Sequence, residues 1–249
     1  MTHVLILGGT TEASAVATAL AARGIRATLS YAGRVANPKA QPVAVRVGGF
    51  GGVAGLVAWL QRADVSHLVD ATHPFAAQMS AHAVAAAAQA HVAHIVLTRP
   101  GWVAEAGDRW TRVADIPGAA AALTGAPASV MLALGRMHVE AFAAQPQHRY
   151  LLRFVDAPRE TVALPHHRLV VDRGPFTVAG DRALMRAHAI DLVVCKNAGG
   201  VGAQAKLIAA RELGLPVVMI DRPAVPERVE VHDVAAVLRW IGHDADRGV

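Results

Sequence analysis

With 249 residues, 53% of them hydrophobic, the chain is long enough for one large α/β domain or two smaller ones and too apolar for a disordered tail. Its single cysteine, Cys195, excludes an intramolecular disulfide, and nothing calls for an oxidising compartment. A formal net charge of +5 fits either an anionic partner or a soluble surface. The arginines stand singly and aromatics are only 4%, which speaks against a nucleic-acid binder and for an anionic metabolite.

In chain order, β-type runs predict strands near 3–7, 26–31, 43–47, 67–71 and 93–98. Helices are expected between them near 11–23, 51–63 and 74–90. Arg99-Pro100-Gly101-Trp102 closes this series, and residues 100–127, rich in Pro and Gly, read as a connector with a short helix at 115–123. A second series follows. Its strands fall near 129–134, 150–155, 168–172, 191–195 and 216–220, its helices near 136–143, 177–188, 200–213 and 233–242. Such alternation implies parallel sheets with crossover helices. The expected fold class is therefore α/β, with two doubly wound domains of mainly parallel sheet, 1–110 and 111–249; one extended sheet is the alternative. The Ala-rich stretch Ala83 to Ala90 is too short to span a bilayer, and no leader with a cleavage site is expected before Val4. A cytoplasmic protein without a membrane or nucleic-acid partner is expected.

The strongest local signal is Leu5-Ile6-Leu7-Gly8-Gly9-Thr10-Thr11-Glu12-Ala13. An apolar strand ends in a Gly-Gly turn and feeds a helix, whose N-terminus offers free N–H groups and positive dipole to a phosphate. Thr10 and Thr11 add hydroxyls, and Glu12 either caps the helix or holds a ribose or loop N–H. A tight turn that binds nothing is the alternative, but the position after the first strand points to a dinucleotide in a Rossmann-like domain. The second strand ends Leu29-Ser30-Tyr31-Ala32-Gly33-Arg34 without the acid that would hold a ribose 2′-OH. Ser30 and Arg34 instead suit a 2′-phosphate, so NADP(H) is the expected cofactor.

Further loops follow the other strands. Gly48-Gly49-Phe50-Gly51-Gly52 reads either as a nucleotide-facing turn, through Gly49, or as a surface loop. In Asp70-Ala71-Thr72-His73-Pro74, Thr72 is the expected N-cap of the next helix and Pro74 its first turn. His73 then lies at the carboxyl edge of the sheet. It is a cofactor contact or proton donor on one reading, and a structural loop residue on the other. In the second series, Lys196-Asn197-Ala198-Gly199-Gly200, Lys206 in the next helix and Asp221-Arg222-Pro223 suggest another anion-facing edge. Arg99, Arg136, Lys196, Asn197, Gly199, Gly200, Lys206 and Arg222 are the candidate substrate contacts. His166-His167 are merely adjacent and no His-Glu-x-x-His or paired Cys exists, so no metal site is expected. Neither tyrosine, Tyr31 or Tyr150, has Lys four residues on, which counts against a short-chain carbonyl reductase.

These stretches occur in order over nearly the whole chain: Ile6 to Ala13, Ser30 to Arg34, Asp70 to Ala76, Arg99-Pro100-x-Trp102, Gly174-Pro175-Phe176, Lys196 to Gly200 with Lys206, and Arg222-Pro223. In them the chain resembles the precorrin-6A reductases of cobalamin biosynthesis. The resemblance implies two Rossmann-like domains with the active site in the cleft between them. It also implies NADPH as hydride donor and a polycarboxylated tetrapyrrole, precorrin-6A, as the substrate reduced to precorrin-6B. A cobalt-precorrin-6A reductase of the anaerobic branch is the alternative within the family, and a non-enzymatic NADP-sensing module the alternative outside it. The oligomeric state stays open, a monomer being compatible.

Overall fold

The computed structural model describes residues 1–32, 40–154, 156–158, 161–172 and 174–246, the last four of these by backbone alone. The chain forms two compact units, Met1–Arg99 with Ala224–Val249, and Pro100–Pro223. The sequence reading placed one boundary, after residue 110. The chain instead leaves the first unit at Arg99 and re-enters it at Ala224.

In the first unit, strands β1 (His3–Leu7), β2 (Arg26–Tyr31), β3 (Ala44–Val47), β4 (His67–Asp70) and β5 (Ala93–Leu97) alternate with helices α1 (Thr11–Ala21), α2 (Gly52–Arg62) and α3 (Ala77–Ala90). The sheet runs β12-β5-β4-β1-β2-β3, every pair parallel, with β12 (Glu230–Val231) supplied from the far end of the chain. Side chains alternate across a strand, and β1 is buried on both faces. Val4 and Ile6 pack with Val16 and Leu20 of α1 and with Val237 and Ile241 of α7 (Val234–Asp246). Leu5 and Leu7 pack with Leu56 and Leu60 of α2 and Ala83 and Ala86 of α3. That double burial is why β1 reads as an unbroken apolar run.

The second unit repeats the plan. Its strands are β6 (Arg109–Val113), β7 (Ser129–Ala133), β8 (Arg149–Phe154), β9 (His167–Val171), β10 (Leu192–Lys196) and β11 (Pro216–Ile220). They form a parallel sheet in the order β6-β11-β10-β7-β8-β9. Helices α4 (Ile116–Ala121), α5 (Val178–Ala187) and α6 (Ala205–Glu212) accompany it. Met131, Leu151, Val193, Val217 and Met219 meet Met185 of α5 and Leu207 of α6 in one core. Cys195 is buried in this core, and burial pushes its thiol up.

Both sheets have the order of a doubly wound domain, with the switch point between β1 and β4 in the first unit and between β7 and β10 in the second. The sixth position differs in origin. The strand after β5 does not join β5 but takes the sixth place in the second sheet, beside β11. β12, which follows β11, takes the sixth place in the first, beside β5. The expected helix at 136–143 is replaced by two 3₁₀ turns, 136–138 and 140–144. Neither turn has a side-chain N-cap. Among the described residues no helix is long and apolar enough to cross a membrane.

Candidate active site

In open parallel sheets, ligands bind beyond the carboxyl ends of the strands at the switch point. In the first unit that edge carries the turn from β1 into α1. A Cβ on Gly8 would lie 2.6 Å from Leu29 Cδ1 and 3.5 Å from Ala13 Cβ, so a side chain there would have to push the buried Leu29 aside. Gly9 has φ +120°, a left-handed conformation that favours glycine. Thr10 is the N-cap of α1. Its hydroxyl accepts from the Ala13 amide (3.1 Å) and donates to the Ala71 carbonyl (2.7 Å), which ties the β1 turn to the β4 turn. The Thr11 hydroxyl donates to Glu12 Oε2 (3.1 Å), and Glu12 Oε1 lies 3.6 Å from Arg99 Nη1. Both hydroxyls expected to face a phosphate are thus committed within the protein. The donors left for an anion are the first-turn amides of α1, at Thr11 and Glu12, which have no intrahelical acceptor.

Thr10, Glu12, Thr72, Pro74 and Arg99 line one small depression with Leu97 and Thr98. Five residues predicted from separate loops are therefore brought together. The β4 turn is built differently from the expectation. Thr72 does not cap α3; its amide (3.0 Å) and hydroxyl (2.7 Å) both donate to Asp70 Oδ1, and Ser80 donates to Asp70 Oδ2 (2.6 Å). Asp70 is 1% exposed and holds the turn from within, and α3 starts only at Ala77, past Pro74. His73 is exposed, and its Nδ1 accepts the Phe75 amide (3.2 Å).

At the ends of β2 and β3 the structure supplies a residue that the sequence reading missed. Ser30 and Arg46 are register partners in the parallel β2–β3 pair. Arg46 donates to Ser30 Oγ (3.2 Å) and to the carbonyls of Gly48 and Gly49 (2.7 Å to the latter), and its guanidinium lies 3.8 Å from the Phe50 ring centroid. Among the described residues these partners are all neutral. Burial, then the nearby charge of Arg62, holds its pKa below the ordinary arginine value. A cation in that setting favours an anion. Arg34 lies outside the described residues. The pairing of the third strand with the second was the signal that would have found Arg46.

In the second unit the carboxyl edge is a tightly bonded scaffold. Asn197, 7% exposed, accepts the Trp102 amide at Oδ1 (2.7 Å) and donates to the Trp102 carbonyl (2.9 Å). Trp102 Nε1 donates to the Gly200 carbonyl (2.9 Å). Arg222 donates to the carbonyls of Asn197 (3.0 Å) and Ala198 (3.2 Å). At Gly199, φ is +70°, and a Cβ would meet the Pro100 carbonyl oxygen at 2.2 Å. Lys206 is 5% exposed, donates to the Ala203 carbonyl (2.5 Å) and lies 4.8 Å from the Trp102 ring centroid; burial lowers its pKa. Asn197, Gly199, Gly200, Lys206 and Arg222 thus shape the loop. Lys196, half-buried, donates to His138 Nε2 (2.7 Å), and Arg136 is exposed at the end of the β7 turn. Among the described residues no group of three His, Cys, Asp or Glu could hold a metal ion.

This architecture has known relatives. A precorrin-6A reductase of Rhodobacter capsulatus is 58% identical over 248 residues, covering 100% of this chain and 98% of the relative. A solved structure described as a CobK precorrin-6A reductase superposes with a TM-score of 0.93 at 58% identity, covering 98% of this chain and 97% of that one. A cobalt-precorrin-6A reductase of Priestia megaterium is 29% identical over 234 residues, covering 89% and 91% of the two chains. The model of the family described as precorrin-6x reductase CbiJ/CobK matches residues 3–242, and the chain belongs to that family.

Proposed function

We propose that the chain reduces the precorrin-6A macrocycle to precorrin-6B with NADPH. The higher identity to the precorrin-6A reductase favours the metal-free substrate over its cobalt complex. The observation that carries the cofactor reading is the pairing of the Gly8–Glu12 turn with Ser30 and Arg46 on one sheet edge. The turn fits a pyrophosphate: Gly8 has no side chain to bar the backbone and the first-turn amides have no intrahelical acceptor. Ser30 and Arg46 fit a 2′-phosphate, Arg46 having neutral partners among the described residues and the sequence placing no acid at the end of β2. NADPH, when bound, supplies a hydride; the protein supplies position and charge.

Each remaining group has a role set by its chemistry. Gly8, Gly9, Thr10, Thr11 and Glu12 form the cradle, Thr10 by locking it to the β4 turn. Gly49 gives Arg46 its carbonyl anchor, and Thr72 and Pro74 close the cradle's wall. Arg99, held near Glu12, Arg136 and Lys196 are proposed to orient substrate carboxylates. Asn197, Gly199, Gly200, Lys206 and Arg222 position that edge from beneath. His73 accepts a hydrogen bond at Nδ1, so its neutral ring carries the proton on Nε2. That atom suits orienting a ligand as a donor.

The test is turnover of precorrin-6A with NADPH and, in parallel, NADH. Nicotinamide oxidation coupled to the spectral change of the macrocycle, at least tenfold faster with NADPH, supports the reading. Equal rates remove the 2′-phosphate assignment, and no conversion with either removes the function.

A further inference from the structure

A groove of about 580 Å³ opens at the amino edge of the second sheet, where β7, β8 and β9 begin and α5 ends. Its polar lining is Ser129, Arg149, His166, His167, Arg168 and His188. Arg168 pairs in register with Leu151, so with Arg149, two residues before Leu151, it sits on the α5 face of the sheet. Arg149 is held by Ser129, whose hydroxyl accepts from its Nε (3.3 Å) and Nη2 (3.1 Å), a contact that leaves its charge uncompensated. Among the described residues no carboxylate lines the groove. The adjoining Asp191 is engaged by the Ser129 amide (2.8 Å). Against the two permanent positive charges stand the Asp191 carboxylate, which keeps its charge on accepting the amide, and about half a negative charge at the carbonyl end of α5.

We infer that this groove binds a small polyanion carrying two or more carboxylate or phosphate groups. Two guanidinium forks match either group in charge and shape. The volume falls in the range of small-molecule sites, about 300–1,000 Å³. The β strands separate the groove from the carboxyl edge that holds Arg136 and Lys196, about 15 Å for five residues. An anion here therefore occupies a site other than the catalytic one.

Calorimetric titration of the full chain at low ionic strength, with citrate, pyrophosphate and acetate as probes, tests this. Citrate or pyrophosphate should saturate one site per chain and bind at least tenfold more tightly than acetate. The preferred probe identifies the anionic group. Arg149→Ala with Arg168→Ala should weaken binding at least tenfold. Arg168→Ala alone, which removes an exposed side chain, should weaken it severalfold while turnover stays unchanged, and it carries the test if the double variant misfolds. No saturation by either polyanion overturns the proposal. So does binding that Arg168→Ala leaves intact, or that NADPH displaces, which would belong to the Gly8–Glu12 turn.

Discussion

Arg46 meets oxygens of Ser30, Gly48 and Gly49 and the face of Phe50, all neutral, with Arg62 near enough to lower its pKa. Replacing it by Glu puts a carboxylate where the account places a phosphate. The preference for NADPH over NADH, measured as a ratio of dissociation constants, should then fall at least tenfold; an unchanged ratio would remove Arg46 from the nucleotide site. His73 admits a similar decision by magnitude. A general acid contributes typically a hundredfold or more, an orienting donor about tenfold. Because Nδ1 is engaged by Phe75, His73→Ala should lower kcat/KM by roughly tenfold and His73→Gln should restore part of it. A thousandfold loss unrelieved by Gln would make His73 the acid. The tight glycine turn from β1 into α1 was legible, and its role as a phosphate cradle is proposed. Arg46 was hidden because its place depends on which strand lies beside β2, while Lys206 and Arg222 were legible as bases but not as a buried and a half-buried anchor of the loop.

The elements of the second unit rest on buried polar groups as well as apolar packing. Arg153 of β8 forms an ion pair with Asp181 of α5, their side chains 6% and 4% exposed, and Arg153 stacks 3.9 Å from the Phe176 ring centroid. Lys206 lies within electrostatic reach of both. Asp181→Ala leaves buried cations uncompensated and should cost about 3–5 kcal/mol in urea denaturation. A cost below about 1 kcal/mol would show that Arg153 is solvated. Tyr150 of β8, 2% exposed, donates to the Gln145 carbonyl (2.8 Å), and burial pushes its phenol up to about 12. The unfolded chain loses this proton near pH 10, the folded chain only near 12, so stability present below pH 10 drains away between those values. The loss is at most roughly 3 kcal/mol. Thermal midpoints across this range should fall more steeply for the native chain than for Tyr150→Phe; parallel curves would contradict the assignment. Strands buried on both faces were readable as apolar runs. β6, Arg-Trp-Thr-Arg-Val, was not, because an edge strand with one neighbour and exposed arginines lacks that signature.

For the whole molecule, the alternation of strands and helices was enough to reveal two doubly wound sheets, and the structure bears out that fold class. The boundary was not legible, since the first unit takes its sixth strand from Ala224–Val249, beyond the whole of the second unit in the chain. Pairing across that distance leaves no local pattern, and β12 is only two residues long. The cradle at the β1–β4 switch point and the basic groups at the ends of β7 and β10 occupy the edge where such sheets bind ligands. The proposed function has this chain pass a hydride from NADPH to precorrin-6A. Its most direct test is a turnover with NADPH deuterated at the transferable position, followed by mass spectrometry of the macrocycle. Hydride transfer at the nicotinamide should give a precorrin-6B carrying one deuterium from one of the two labelled forms of the nucleotide and none from the other. A reduced macrocycle without label from either form, or oxidised nucleotide with the macrocycle unchanged, would contradict it.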